Sequence, residues 1–377
     1  MPWQERSTMS LRHEFVQLSL QPGTNFSELC NRFGISRKTG YKWRRRYQRD
    51  GVDGLQEQPR RPQQQPRRSP AATEQAVLAV RARYGWGARK IEARLVQTGQ
   101  DRVPRSTVHS ILQRHGCIKA SPDQPGQAYQ RFEQERPNQL WQMDFKGHYG
   151  LANQERCHPL TVLDDHSRYS LCLQACRNQQ TATVKEHLTA TFRRYGLPER
   201  MLMDNGSPWG GAMDHGYTPL TVWLLRLGIA VTHSRPFHPQ TQGKDERFHR
   251  TLKVEVLAQR LYPDFTRMQQ RFDQWRQIYN HERPHEALSM AVPASRYQIS
   301  SRSFPETLPA FEYHQQDEVR KVQATGKLSF RGRHFRVGRP FAGYPVALRA
   351  SNTDGVYAIF FATHQIGVIE FRHPPCD

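Results

Sequence analysis

Three carboxylates stand apart from the other acidic residues. Asp144 falls inside the apolar run Leu140-Trp-Gln-Met-Asp-Phe145, and Asp204 inside Leu202-Met-Asp-Asn-Gly-Ser-Pro-Trp209, where an apolar run gives way to a turn. Glu246 lies in Gly243-Lys-Asp-Glu-Arg-Phe-His-Arg-Thr-Leu-Lys253, a helical pattern. The acids are separated by 60 and 42 positions. Carboxylates delivered from two strand ends and one helix can converge on hard divalent cations, which take oxygen ligands. Two such ions about 3.5–4 Å apart activate an attacking oxygen and stabilise a leaving one at phosphorus. Spacing alone is not specific, because acidic residues near strand ends are common on surfaces.

The frame for these acids reads as a mixed α/β sheet. Leu140–Phe145, Leu160–Leu163 and Arg168–Leu173 have strand patterns, Thr183–Tyr195 is helical, and Arg200–Met203 is a further strand. Leu220–Leu227 is helical, Ile229–Thr232 a strand, and Gly243–Leu261 a long helix. Strands first paired and then alternating with helices give this fold class. On the long helix Arg250 and Lys253 share the face of Glu246, a layout suited to a DNA phosphate path. Phe248, Leu252 and Val256 form an apolar stripe for the sheet, while Asp245 points about 100° away from Glu246. Asp164 and Asp165 are expected to order the turn to Ser167 and Arg168.

The composition names the partner. The 377 residues carry 55 Lys and Arg against 34 Asp and Glu, a formal charge of +21, with a pI near 10.1 and a mean hydropathy of −0.82. Cations that neutralise phosphates release condensed counterions, so a polyanion such as DNA is expected. The excess is spread, +12 over residues 1–135 and +9 over the remainder. No run approaches the roughly 18 apolar residues of a spanning helix, and a membrane partner is not expected. Six cysteines without a CxxC pair point to packing roles, Cys172 and Cys176 included, in a reducing cytoplasm. No His and Cys spacing suggests structural zinc.

Ahead of the sheet the sequence reads as two all-α helix-turn-helix units. In residues 1–57, Phe26–Phe33 is helical with Ser27 as its cap, Gly34 turns, Ile35 plugs the core, and Ser36 caps a helix from Arg37 to Tyr47. Arg37, Lys38, Thr39 and Lys42 occupy the base-reading start of that helix, and Arg44, Arg45 and Arg46 suit phosphates. Gly40 within it costs about 1 kcal/mol relative to Ala. Residues 58–71, rich in Pro, Gln and Arg, form a semi-rigid basic linker. A second unit spans residues 72–120, with helices Glu74–Tyr84, Arg89–Leu95 and Thr107–His115. The stretch 312–377 is β-rich and suggests a small β-barrel-like domain.

Five words occur in order: Trp141-Gln-Met-Asp-Phe-Lys146, Thr161-Val-Leu-Asp-Asp-His-Ser-Arg168, Met203-Asp-Asn-Gly-Ser207, His238-Pro-Gln-Thr-Gln-Gly-Lys-Asp-Glu-Arg-Phe-His-Arg-Thr-Leu-Lys253 and Tyr279-Asn-His-Glu-Arg-Pro-His-Glu-Ala-Leu288. Together they closely resemble the integrase catalytic core of DDE transposases of the insertion-sequence type (family 481-like), relatives of retroviral integrases, over about residues 135–300. The resemblance implies a ribonuclease H-like core with the triad Asp144, Asp204 and Glu246. It further implies Mg²⁺, with Mn²⁺ substituting and two ions acting, and strand transfer between terminal inverted repeats and target DNA. A homo-oligomer, at least a dimer on DNA, and a bacterial, nucleoid-associated location follow from it. Between Asp204 and Glu246 stand 41 residues, more than in many relatives, and a surface loop at Trp209–Thr221 is expected to absorb the excess. His238 and Gln240 approach DNA or order their loop, and Tyr279–Leu288 closes the core helices. Two rivals remain open, a domesticated DNA-binding regulator and a structure-directed nuclease on the same fold.

Overall fold

The computed structural model describes residues 7–57, 68–118, 133–210, 216–234 and 243–371. Most of the basic linker, together with His238 and Gln240, lies outside the described residues. The chain separates into two units, Met1–Arg68 and Ser69–Asp377.

The first unit is trihelical: α1 (Thr8–Ser19), α2 (Phe26–Arg32) and α3 (Arg37–Asp50). They close on Phe15, Val16, Leu29, Cys30, Trp43 and Leu55. Helix α1 carries only a thin apolar stripe and escapes a reading by periodicity. Ser36 caps α3 as expected, but Asn25 rather than Ser27 caps α2, its side chain accepting from the Glu28 amide at 3.3 Å. Gly40 has a reason to be in a helix. A Cβ there would stand 2.8 Å from both Cys30 Sγ and Phe15 Cζ, so glycine lets α3 press onto its neighbours.

The second unit opens with α4 (Ala71–Tyr84), α5 (Ala88–Gln97) and α6 (Arg105–Arg114). Gly85 ends α4 in the left-handed region at φ +71°, which glycine adopts without steric penalty. Val77, Trp86, Ile91, Leu95, Val108, Ile111 and Leu112 form the core of this trio.

The sheet comprises β1 (Leu140–Phe145), β2 (Tyr149–Gly150), β3 (Arg156–Asp164), β4 (Ser170–Cys176), β5 (Arg200–Met203) and β6 (Ala230–His233). Its order is β2-β3-β1-β5-β6 with β4 also on β3. β3 runs antiparallel to β1 and β4, whereas β1, β5 and β6 are parallel. This is the ribonuclease H-like arrangement implied by the sequence words. Helices α7 (Thr181–Tyr195) and α8 (Pro219–Arg226) share one core with Trp141, Met143, Met201 and Met203. Helices α9 (Gly243–Leu252) and α10 (Phe265–His281) share another with Leu163 and Leu173. Burial pushes the thiols of Cys172 and Cys176 up to about 11 and about 12, in keeping with packing roles.

Three further expectations need correction. The helix expected over Gly243–Leu261 stops at Leu252 and passes into a π turn, Lys253–Leu257. The wider turn brings both Val256 and Leu257 inward, while Leu261 is 61% exposed and offers no face for a continuing helix. The strand expected from Arg168 begins at Ser170, since Arg168 takes φ +64° in the preceding turn. Trp209 is not part of a surface loop; it is 1% exposed, within the core beneath β1 and β5.

The C-terminal region forms a four-stranded sheet and a hairpin around one core. β7 (Glu318–Lys321), β10 (Pro345–Ala350), β11 (Val356–Phe361) and β12 (His364–Glu370) pair in the order β12-β11-β10-β7, and β8 (Lys327–Phe330) pairs with β9 (Arg333–Arg336). Val222 and Leu225 of α8 join that core.

Candidate active site

Asp144 and Asp204 are level on neighbouring strand ends. The last registered pair between parallel β1 and β5 is Gln142 with Leu202, and each acid follows its partner residue by two positions. Side chains alternate along a strand. Trp141 and Met143 therefore enter the α7 core with Met201 and Met203, leaving Asp144 and Asp204 to the opposite face. Helix α9 packs on that face with Leu163 and Leu173, and its exposed Glu246 is near enough for its charge to act on Asp144. The apolar stripe Phe248, Leu252 and Val256 fixes the roll of α9, packing against Trp275 and Tyr279 of α10 as well as the sheet.

Electrostatics tie the three acids together. Asp144 is pushed up to about 6, first by burial, then by the charge of Asp204, with Glu246 adding to it. Burial and like charges both disfavour the ionised carboxyl, and here they outweigh the Phe145 amide and the Lys146 cation, which act the other way. Asp204 is held locally: its Oδ1 accepts from the Gly206 amide at 2.9 Å and from Trp209 Nε1 at 2.5 Å. Among the described residues no three His, Cys, Asp or Glu side chains form a ready-made metal cage. The donor set of Asp144, Asp204 and Glu246 is nevertheless all oxygen, the chemistry a hard divalent cation requires.

Neighbouring residues set this geometry. Asp164 is fully buried and accepts from the Asn138 and Ser167 amides, each at 2.8 Å, so it orders the turn as expected. Asp165 accepts from Gln142 Nε2 at 2.7 Å and pairs with Lys244, fastening the start of α9 to the β3–β4 turn. His249, one turn beyond Glu246, is 6% exposed. Its Nε2 is 2.9 Å from Thr161 Oγ1, whose proton goes to the Asp144 carbonyl at 2.9 Å. Nε2 therefore donates, and the Nδ1 lone pair faces Asp144 Oδ2 at 3.7 Å. Burial, reinforced by Lys146, lowers His249 to about 3, so this is a neutral ring against a carboxylate and not an ion pair. Asp245 is 1% exposed with both carboxylate oxygens unpartnered. Burial, then Asp144 and Asp165, raises its pKa well above the usual range.

The remaining sequence candidates are placed as follows. Arg250 and Lys253 are exposed with Glu246, and among the described residues no ion pair joins Glu246 to Arg250. On α3, Arg37, Lys38, Lys42 and Arg45 are exposed. Thr39 is half-buried, its hydroxyl 2.9 Å from Ser36 Oγ within the cap. Arg44 lies over Phe26 and Tyr41, and Arg46 over Trp43. Lys244, Trp209 and His249 were missed as contributors to the site, although Lys244 and His249 stand within the same sequence word as Glu246.

These shifts predict a pH dependence. A carboxyl raised on folding contributes stability that is complete below its unfolded value and lost as pH rises through its folded value. For Asp144 the window runs from 3.8 to about 6, a loss of about 3 kcal/mol. In the metal-free protein, urea unfolding is expected to show lower stability at pH 8 than at pH 5. Asp144→Asn is expected to reduce the difference without removing it, because Asp164 and Asp245 are raised too. An unchanged difference in the variant would contradict the assignment.

Residues 134–239 match an integrase core domain, and 227–293 match a second integrase core domain model. Residues 11–63 match a helix-turn-helix domain and 39–112 a homeodomain-like domain. The chain thus carries an integrase core domain preceded by helix-turn-helix and homeodomain-like domains. Residues 317–374 match the C-terminal domain of IS481 family transposases, and the relatives below are proteins of insertion elements. The insertion element IS407 uncharacterized 31.7 kDa protein of Burkholderia multivorans (strain ATCC 17616 / 249) is 25% identical over 177 residues, 47% of this chain and 61% of that one. The insertion element IS476 uncharacterized 39.2 kDa protein of Xanthomonas euvesicatoria is 29% identical over 160 residues, 42% of this chain and 44% of that one. The chain spans about half the length of these curated relatives. Among solved structures, a chain of the simian T-cell lymphotropic virus intasome in complex with PP2A regulatory subunit B56 gamma aligns at 15% identity and a TM-score of 0.38. That alignment covers 80% of this chain and 100% of the other. Among the described residues no helix is long and apolar enough to cross a membrane.

Proposed function

We propose that this chain is a transposase that binds the terminal inverted repeats of its own element, cuts DNA to expose 3′-hydroxyls and joins them to target DNA. The observation carrying this reading is the level placement of Asp144 and Asp204 on parallel strands, with Asp144 perturbed by both Asp204 and Glu246. Asp144, Asp204 and Glu246 would hold Mg²⁺, or Mn²⁺ in its place. A bound pair of ions supplies activation of the attacking oxygen and charge stabilisation at phosphorus.

The chain's own residues do the rest. Lys244 and Asp165 fix the entry of α9, His249 supports the Asp144 backbone carbonyl through Thr161, and Trp209 holds Asp204. Exposed Arg250 and Lys253 suit phosphates alongside the acids. Exposed Arg37, Lys38 and Lys42 suit base edges, and Arg44, Arg45 and Arg46 the backbone, because a recognition helix reads from its first turns. Joining two ends requires at least two protomers, so the reaction implies an oligomer on DNA.

The test is strand joining by the full chain with duplexes carrying the element's ends. Exposed 3′-hydroxyls and joined products are expected with Mg²⁺ and absent with chelator. Tight end binding with no cutting in either Mg²⁺ or Mn²⁺ would overturn the proposal in favour of a DNA-binding regulator.

A further inference from the structure

The sequence word at the end of α10 grips two parts of the molecule. Asn280, 3% exposed, accepts from the Ser170 amide at 2.8 Å and donates to the Ser170 carbonyl at 3.0 Å, which anchors the word to the sheet. Arg283 donates to Glu255 at 3.0 Å, in the π turn that extends the helix bearing Glu246, and Trp275 Nε1 donates to the same carboxylate at 2.8 Å. Glu282 serves the α4–α5 module instead. It accepts from the Tyr84 hydroxyl at 2.5 Å and from Arg94 at 2.7 Å, with Arg83 at 3.8 Å.

The same seam has further links. Arg89 of α5 lies 3.8 Å from Glu286, and Gln97 Nε2 donates to the Met290 carbonyl at 3.2 Å. Ile278 of α10 packs into the apolar core of the α4–α6 module. Polar, ionic and apolar contacts thus act together, and adjacent residues 282 and 283 hold the helical module and the catalytic helix. Removing Glu282 would leave two guanidinium groups and a phenol without their shared acceptor in a partly buried seam.

Helix α6 lies free of this seam on one face. It buries Val108, Ile111 and Leu112, while Arg105, Ser106, His109, Ser110 and Gln113 are exposed. That face offers donors and acceptors but no carboxylate. Arg suits guanine and Gln suits adenine in the major groove, and in helix-turn-helix units the later helix of the motif enters that groove.

Resting on the DNA-joining activity proposed above, we infer that Glu282 is a positioning residue: it locks the second trihelical module to the catalytic core, so that α6 reads double-stranded DNA at a fixed distance from the bond that is cut. The spacing between the read sequence and the cut is then built into the protein fold.

The experiment uses the full chain and end-bearing duplexes, with three readouts: hydroxyl-radical footprints, nucleotide-resolution mapping of the cuts, and hydrogen exchange. Glu282→Ala and Glu282→Gln are expected to bind ends within about two-fold of the parent protein. Cutting at the native bond is expected to fall at least ten-fold, cuts to spread onto neighbouring bonds, and α4–α5 amides to exchange faster. His109→Ala combined with Gln113→Ala is expected to erase protection under α6 while leaving that exchange unchanged. One sharp cut at the parental rate in Glu282→Ala, or unchanged α4–α5 exchange, would overturn the inference; so would an intact α6 footprint in the double variant. If the parent protein cuts nothing, the transposase reading fails, while the exchange and footprint readouts still decide whether Glu282 fastens a DNA-reading module.

Discussion

Asp204→Asn is expected to lower DNA cutting and joining by about 10³-fold or more, with end binding unchanged within about two-fold. Asparagine keeps the shape of the side chain, and its Oδ1 can still accept from Gly206 and Trp209. What disappears is the charge that a divalent cation needs. A second effect separates this from local misfolding. Asp204 is the leading charge that raises Asp144, so its removal is expected to lower the Asp144 pKa and shift the pH window of metal-free stability toward acid. Activity within ten-fold of the parent, measured as joined product per unit time, would exclude Asp204 from the reaction.

Trp209 gives the second large effect. Its ring is 1% exposed and stacks on Phe145 at 5.3 Å, next to Asp144 in sequence, while its N–H holds Asp204. One side chain therefore braces both strand ends. Trp209→Ala is expected to destabilise the core by about 3–5 kcal/mol. Trp209→Phe keeps most of the apolar packing and loses the donor, a change of about 1 kcal/mol in stability, yet is expected to slow cutting about ten-fold because Asp204 is released. Urea denaturation and cutting rates read the two effects separately. A Phe variant as fast as the parent would show that the indole bond does not position Asp204.

The fold was legible where periodicity and punctuation coincide. Leu140–Phe145 and Arg200–Met203 are strands with the expected bounds, since each is a short apolar run between breakers. The three acids can be singled out only through the ordered sequence words around them, because carboxylates near strand ends are by themselves not specific. The missed α10 has an apolar pattern, Met268, Phe272, Trp275 and Tyr279, diluted by Gln and Arg in between. The π turn after α9 is not visible in sequence, because it follows from Val256 and Leu257 both finding tertiary cover.

The supporting residues were harder to read. Trp209 looked like loop because Gly and Pro surround it; only the fold shows a ring returning beneath β1. Lys244 and Asp165 are far apart in sequence, and their pairing requires the sheet to exist first. Asp245 is the reverse case. Helical geometry separated it from Glu246 correctly, but nothing local announces a carboxylate buried without partners. Likewise Tyr279–Leu288 reads as a structural closure, and its Glu282 gains a partner only once α4 and α5 are docked.

The most direct test of the shared acidic site is Mn²⁺ binding to the full chain on end-bearing DNA, followed by electron paramagnetic resonance. Parent protein is compared with Asp144→Asn, Asp204→Asn, Glu246→Gln and Asp245→Asn. The geometry predicts that each of the first three weakens binding at least ten-fold, while Asp245→Asn binds as the parent does. Parental binding by Glu246→Gln together with loss in Asp245→Asn would contradict the account, moving the third ligand to the neighbouring acid and removing the exposed face of α9 from the site.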